Sequence, residues 1–152
     1  MKQKTICFIS SSGGHFEQLV ILQKANVPLK KITITEKTNF NGKEKDTYYI
    51  RQINRKEFFF IYNMLLNSFT LFKIFISEKP DIIVSTGALC CIPMFIIGKL
   101  YKKKLIFIES FSKVNSPTLT GKFIYRFADL FIVQWESLKK FYPNAIYMGS
   151  IY

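Results

Sequence analysis

The sequence predicts an α/β fold, a Rossmann-like doubly wound parallel sheet, in one domain covering residues 1–152. Three observations carry this expectation. Apolar, β-prone runs alternate with longer helical stretches from end to end. The runs Ile82-Ile83-Val84 and Leu105-Ile106-Phe107-Ile108 are apolar on both faces, as in strands covered by helices on each side. A length of 152 residues suits one domain with a substantial core and is short for two.

The elements follow in order. A strand at 4–10 leads through Ser12-Gly13-Gly14 into a helix at 15–25. Strands are expected at 31–35 and 47–51, separated by the polar loop 36–46, "EKTNFNGKEKD", whose position suits a mobile edge of a site. A long helix at 56–77 carries polar residues at 56, 63, 67, 70 and 77, a narrow stripe with apolar side chains around most of the remaining circumference. A strand at 81–86 precedes a helix at 88–101 that has no polar side chain before Lys99. After a strand at 104–109, a helix at 117–127 is marked by Ser116 as cap and Pro117 at its first position. A strand at 129–134, a short helix at 136–141 and a strand at 145–148 close the pattern.

A hydrophobic fraction of 49% and an aromatic fraction of 16% exclude a disordered chain. The 22 Lys and Arg against 10 Asp and Glu give +12, which suits a phosphate-rich partner: nucleic acid, anionic lipid or a phosphorylated substrate. Nucleic acid is disfavoured, because the lysines are not interleaved with an RNA-reading motif and the aromatics sit in apolar helices. Cys7, Cys90 and Cys91 form neither a zinc pattern nor a disulfide framework and read as reduced core residues. The amino terminus has too short an apolar stretch for a signal peptide.

The helices at 56–77 and 88–101 are too apolar for a sheet that covers one side of each. With Lys99, Lys102, Lys103 and Lys104 at the end of the second, they suit a monotopic protein on the anionic cytoplasmic face of a membrane. Burial of both helices in the core, or cover by a partner protein, are the alternatives.

Chemistry is expected at the carboxyl ends of the strands. Gly13 and Gly14 let a backbone approach a ligand, and the helix start behind them favours an anion such as a diphosphate. The spacing is neither the dinucleotide nor the Walker pattern, and the serines lack the nucleophile-elbow motif. A tight turn capped by serine is the plainer reading. His15, the chain's one histidine, would stand at the helix start as a general base, or pack there without chemistry. "VSTGAL" places Gly87 on the same rim, and "FIESFSKVNSPTLTGK" adds Glu109, Ser110, Ser112 and Asn115. Glu109 is a candidate second acid/base or sugar ligand, or a carboxylate paired with a lysine.

With these loops in view, the chain resembles the bacterial capsule and exopolysaccharide glycosyltransferase accessory subunits of the galactosyltransferase-enhancer type. It is also similar to the membrane-anchoring subunit of the eukaryotic transferase that adds the second N-acetylglucosamine to dolichol diphosphate. The resemblance runs from Ile6 to Gly149 and rests on "SSGGHFEQL", "PDIIVSTGA", "FIES" with "SPTLTGK", and "ADLFIVQWESLKKFYPNAIYMG". It implies the N-terminal, acceptor-binding half of an inverting, metal-independent GT-B glycosyltransferase. A separate donor-binding subunit would supply the UDP-sugar site, so that no cofactor is expected. The acceptor would be a polyprenyl-diphosphate-linked saccharide in capsule or exopolysaccharide synthesis. Ser12, Gly13, Gly14 and His15 would serve the acceptor, with Gly87 and Glu109 beside them. A non-catalytic membrane scaffold that recruits the catalytic subunit is the alternative. The eukaryotic subunit carries a membrane-spanning segment before its first strand, whereas the first strand here begins at Lys4, so attachment is expected through the apolar helices and lysines or through the partner.

Overall fold

A computed structural model describes residues 3–39 and 44–152. The elements are β1 (Thr5–Ser10), α1 (Gly14–Gln23), β2 (Lys30–Glu36), β3 (Thr47–Ile50), α2 (Phe60–Glu78), β4 (Ile82–Gly87), α3 (Ile92–Leu100), β5 (Lys104–Ile108), α4 (Leu119–Ile124), β6 (Leu130–Val133) and β7 (Ile146–Tyr147). They build a seven-stranded sheet of order β3-β2-β1-β4-β5-β6-β7 in which every pairing is parallel. This is the doubly wound fold expected from the alternation. The chain winds outward from β1 to β3 and then returns to lay β4 against the other side of β1. That reversal opens a crevice at the carboxyl ends of β1 and β4, where ligands bind in sheets of this class.

Alternate residues of each inner strand enter two separate cores. Cys7, Ile9, Ile83, Leu105 and Phe107 face α2, α3 and α4. Phe8, Val84 and Ile108 face α1. Full burial of Leu71 and Phe75 fixes α2 to the sheet, each side chain contributing about 1.5–3 kcal/mol.

Three helices start two or more residues later than expected, each for a local reason. The segment before α2 is a turn rather than helix from 56, because Asn54 Oδ1 accepts from Lys56 N–H at 3.1 Å and Asn54 O from Glu57 N–H at 3.1 Å. The stretch from 88 starts as a single 3₁₀ turn, Leu89–Cys91, with α3 following from Ile92. Ala88 there adopts φ 75° and ψ 161°, a conformation almost reserved for glycine. Helix α4 is capped not by Ser116 but by Thr118, whose Oγ1 accepts from Gly121 N–H at 2.8 Å. Of the polar loop 36–46, Glu36 ends β2, and residues 40–43 lie outside the described residues.

The polar stripe of α2 does not face solvent as a unit. Asn67 is buried, with Oδ1 accepting from Arg51 N–H at 3.0 Å and Nδ2 donating to Arg51 O at 2.8 Å. It holds the chain leaving β3 against the helix. The solvent-facing side of α2 is apolar instead, with Leu65 and Phe69 60% or more exposed.

Candidate functional site

Strands β1 and β4 fall out of register at their carboxyl ends. Ile9 pairs with Ser85 but Ser10 with Gly87, which leaves Thr86 as the extra residue of a bulge. Thr86 is thereby aimed at the start of α1. Its carbonyl oxygen lies 2.8 Å from His15 Nδ1, and its hydroxyl donates to His15 O at 2.6 Å. A carbonyl can only accept, so Nδ1 carries the ring hydrogen and Nε2 is the proton-accepting nitrogen of the neutral ring. Among the described residues nothing bonds Nε2.

Gly87 is required beneath that ring. Its φ is +126°, and a Cβ there would sit 2.8 Å from His15 Cε1 and 2.9 Å from Nδ1. Gly13 has the second special conformation, φ 78°, and turns the chain from β1 into α1 without any side-chain cap. Its carbonyl accepts from Phe16 N–H at 2.9 Å and Glu17 N–H at 3.1 Å. Among the described residues no group accepts from the N–H of Gly14 or His15, the orphan donors of a helix start. Ser12 does not cap the helix. Its N–H and Oγ both donate to Glu36 Oε2 at 3.3 Å.

Two clefts meet at His15. One of about 270 Å³ is lined by His15, Gly87, Glu109, Thr118, Thr120 and Arg55. The other, of about 310 Å³, lies toward Gly14, Gln18, Ser110, Ser112 and Tyr152. Glu36 ties the floor together: while Oε2 takes Ser12, Oε1 accepts from Ile53 N–H at 3.0 Å. The segment carrying Arg55 is thereby held to the glycine turn, and a cation stands at the rim of the first cleft.

Glu109 is fully buried, and among the described residues no lysine pairs with it. Oε1 accepts from Ser110 N–H at 2.8 Å and Thr118 Oγ1 at 2.9 Å, and Oε2 accepts from Tyr142 Oη at 2.5 Å and Thr118 N–H at 3.2 Å. Burial, followed by the hydrogen bond to this carboxylate, pushes the Tyr142 phenol far above its ordinary range. A Cβ on Gly121 would fall 2.1 Å from Glu109 Oε2, so α4 can approach only with glycine there. The carboxylate thus anchors the loop 110–118, the start of α4 and Tyr142 to one point.

The remaining expected residues divide. Ser112 lines the second cleft, with its Oγ 2.9 Å from Ser110 Oγ. Asn115 is exposed and lines neither cleft. Lys99, Lys102, Lys103 and Lys104 line a separate depression of about 500 Å³ with Lys4, Asp81 and Asp129, at the opposite, amino edge of the sheet. A strand of five or six residues separates the two edges by roughly 17–20 Å. Lys103 is 3.6 Å from Asp81, and Lys99 Nζ donates to Phe127 O at 3.1 Å. The three cysteines are buried free thiols; burial raises all of them, Cys91 to about 12, so none is a reactive thiolate. Among the described residues no cluster of His, Cys, Asp or Glu could hold a metal ion.

Sequence reasoning missed Glu36, Arg55, Thr86, Thr118 and Tyr142. Glu36 and Thr86 stand at or beside strand carboxyl ends, the place where such residues are sought. Tyr142 falls within "KFYPNA", a motif with no generic reason to recur. Arg55 carried no signal, because it reaches the rim only through the Glu36 and Asn67 bonds.

The sequence matches the family model described as "Oligosaccharide biosynthesis protein Alg14 like" over residues 19–151. The chain belongs to this Alg14-like family. It is 27% identical to the UDP-N-acetylglucosamine transferase subunit ALG14 of Rattus norvegicus over 177 aligned positions, covering 96% of this chain and 82% of that protein. It is 37% identical to the Homo sapiens subunit of the same name over 79 positions, 48% of this chain and 37% of that one. Among solved structures, MurG of Acinetobacter baumannii matches with TM-score 0.68 at 15% identity, covering 88% of this chain and 42% of that one. The UDP-N-acetylglucosamine 2-epimerase of Rickettsia bellii matches with TM-score 0.71 at 13% identity, covering 99% of this chain and 46% of that one. The chain therefore spans under half of either structure, and these likenesses bear on the fold: this Alg14-like chain has the Rossmann-like domain found in such proteins. Of the two resemblances read from the sequence, the comparisons carry the ALG14 one; the capsule and exopolysaccharide setting has no support in them.

Proposed function

We propose that this Alg14-like chain is the acceptor-binding, membrane-associating subunit of a two-component inverting glycosyltransferase. A separate donor-binding subunit would supply a UDP-sugar, and the acceptor would be a polyprenyl-diphosphate-linked saccharide at the cytoplasmic face of a membrane. The names of the relatives favour UDP-N-acetylglucosamine as donor. The observation that carries the reading is His15 itself: its Nδ1–H is fixed on Thr86 O, and among the described residues nothing bonds Nε2, which stands beside a cleft at the reversal point of the sheet.

The chemistry follows from that arrangement. The acceptor diphosphate lies against Gly13, Gly14 and the first-turn N–H groups of α1, with Arg55 as counter-charge. The acceptor hydroxyl oxygen attacks the anomeric carbon from the face opposite UDP. Its proton passes to His15 Nε2 as the new glycosidic bond forms and the bond to the UDP oxygen breaks. Thr86 stabilises the resulting imidazolium, because its carbonyl already accepts from the other ring nitrogen. Glu109 positions loop 110–118 and touches no reacting atom; the acid/base role expected for it is not part of the proposal. No step needs a metal.

The test is the complex reconstituted with its donor-binding subunit on membranes. His15→Ala is expected to assemble normally and to lose about 10²-fold or more in turnover. An assembled mutant complex with near-full turnover would instead mark the chain as a scaffold that recruits the catalytic subunit.

A further inference from the structure

Helix α2 is apolar on its outer side as well as on the side that packs on the sheet. Its inward side includes the buried Asn67, whereas Ile61, Tyr62, Leu65, Phe69, Phe72 and Ile76 form its outer side, each at least 40% exposed. These six recur at three- and four-residue intervals and so form one stripe along the helix, about 28 Å long for 19 residues. The helices on the same side of the sheet add further exposed apolar side chains, Ile96 and Leu100 of α3 and Leu119 and Phe123 of α4.

Charge on this side is predominantly positive, with Glu57 in the turn before α2 as an exposed carboxylate. In the whole of α2, α3 and α4 the single carboxylate is Glu78, already bonded to Lys30 at 2.6 Å and Tyr48 at 2.5 Å. The cations are Lys73 and Lys122, with Arg126 in the turn after α4, while Lys99 turns to Phe127 O and the amino-edge depression. Lys73 lies within the stripe, its Nζ 4.5 Å from the Phe69 ring centre, so that its stem covers apolar surface while its head can reach outward. An aromatic-rich apolar face bordered chiefly by cations is complementary to an anionic lipid surface.

We infer that the α2–α4 side is the membrane-docking face, with α2 lying in the plane of an anionic bilayer and its stripe among the upper acyl chains. Length and hydropathy would let α2 cross a membrane. It does not cross in this fold, because Leu71, Ile74 and Phe75 pack on the sheet and both ends connect to strands of that sheet. The docking element is therefore α2 rather than the Lys102–Lys104 cluster, which lines the amino-edge depression. Helix α2 begins at the carboxyl edge, next to Arg55 and the cleft, so immersion brings the cleft to headgroup level. The inference rests on the proposed acceptor reading for that purpose alone.

The test is sedimentation of the full chain with phosphatidylcholine vesicles containing phosphatidylglycerol, with no donor, acceptor or partner present. Leu65→Glu/Phe69→Glu changes two exposed positions and is expected to keep its melting temperature and lose at least tenfold in partition. Lys102→Gln/Lys103→Gln/Lys104→Gln is expected to lose less. A Tyr62→Trp variant, which leaves the fold intact, should be quenched by brominated acyl chains more strongly than native Trp135. Wild-type partition by the folded glutamate variant, or an unquenched Trp at 62, would overturn the inference. So would a glutamate variant that still binds vesicles but no longer binds the donor subunit, since the face would then be a protein interface. Failure here leaves the His15 reading standing, and failure of the His15 assay leaves vesicle binding as measured.

Discussion

At the seam between β1 and β4, His15 donates from one ring nitrogen to Thr86 O and, among the described residues, leaves the other unbonded; at the seam between β5 and β6, Glu109 has both oxygens surrounded by Ser110, Thr118 and Tyr142. Both side chains border one cleft. Residue type alone would rank them as an acid/base pair, but coordination separates them. A base needs an unoccupied proton acceptor within reach of substrate, and a carboxylate already accepting four hydrogen bonds serves better as an anchor. The largest expected effect therefore falls on His15. Replacement with Gln, which keeps an amide able to donate to Thr86 O but offers no basic nitrogen, should lower kcat about as far as the Ala variant, about 10²-fold or more. Comparable turnover by the Gln variant would assign His15 to positioning and erase the contrast.

Gly87→Ala sharpens the same contrast from the side of the backbone. The added methyl meets the imidazole at 2.8 Å at a φ of +126°. Backbone strain of about 1–3 kcal/mol is expected together with a displaced ring. Melting should show the strain, and turnover by the folded fraction should fall by more than stability explains. A variant that melts lower with unchanged kcat would mean that the ring position is immaterial.

At the Glu109 side the order of effects reverses. Glu109→Ala removes the acceptor for Tyr142 and Thr118 and leaves buried donors unpaired, at about 1–3 kcal/mol. Tyr142→Phe should cost less, because one donor and its bond disappear together. For both, urea unfolding should register the change while kcat of the assembled complex stays within a few-fold of wild type. A hundredfold loss of kcat in a stable Glu109→Gln protein would return the carboxylate to the chemistry.

The sheet was legible because its evidence is periodic: strands buried on both faces and helices between them repeat along the chain. The glycine turn was legible because Gly13, Gly14 and His15 are adjacent in sequence. What escaped depends on contacts between distant segments. Thr86 faces His15 through a register shift that no local pattern encodes, and Arg55 stands at the cleft because Glu36 and Asn67 hold its segment. The cap of α4 was misplaced by two residues because Ser116-Pro117 satisfies the local rule while Thr118 satisfies both the helix and Glu109. In α2 the hydrophobic pattern disclosed that one side was in excess, but it took the burial of Asn67 to fix which side turned outward.

Glu78 provides the comparison with an engaged carboxylate far from the cleft. Hydrogen bonds from Lys30 and then from Tyr48 hold it below the usual glutamate value, while the carboxylate and burial push the Tyr48 phenol up to about 12. The two shifts act at opposite ends of the pH scale. For Glu78 the folded value is the lower one, so its stabilisation is complete above about pH 4.3 and is lost as pH falls below it. For Tyr48 the folded value is the higher one, so its share is complete below about pH 10 and is lost as pH rises toward the folded value. The bonded groups are partly solvated, so the effect is expected to be the smallest of the set. Melting temperatures of wild type and Glu78→Gln should converge in acid and differ most near neutrality, with turnover unchanged throughout. A constant offset at every pH would mean that the glutamine variant loses packing at the end of α2 rather than charge, and Glu78 would no longer calibrate what an engaged carboxylate contributes at Glu109.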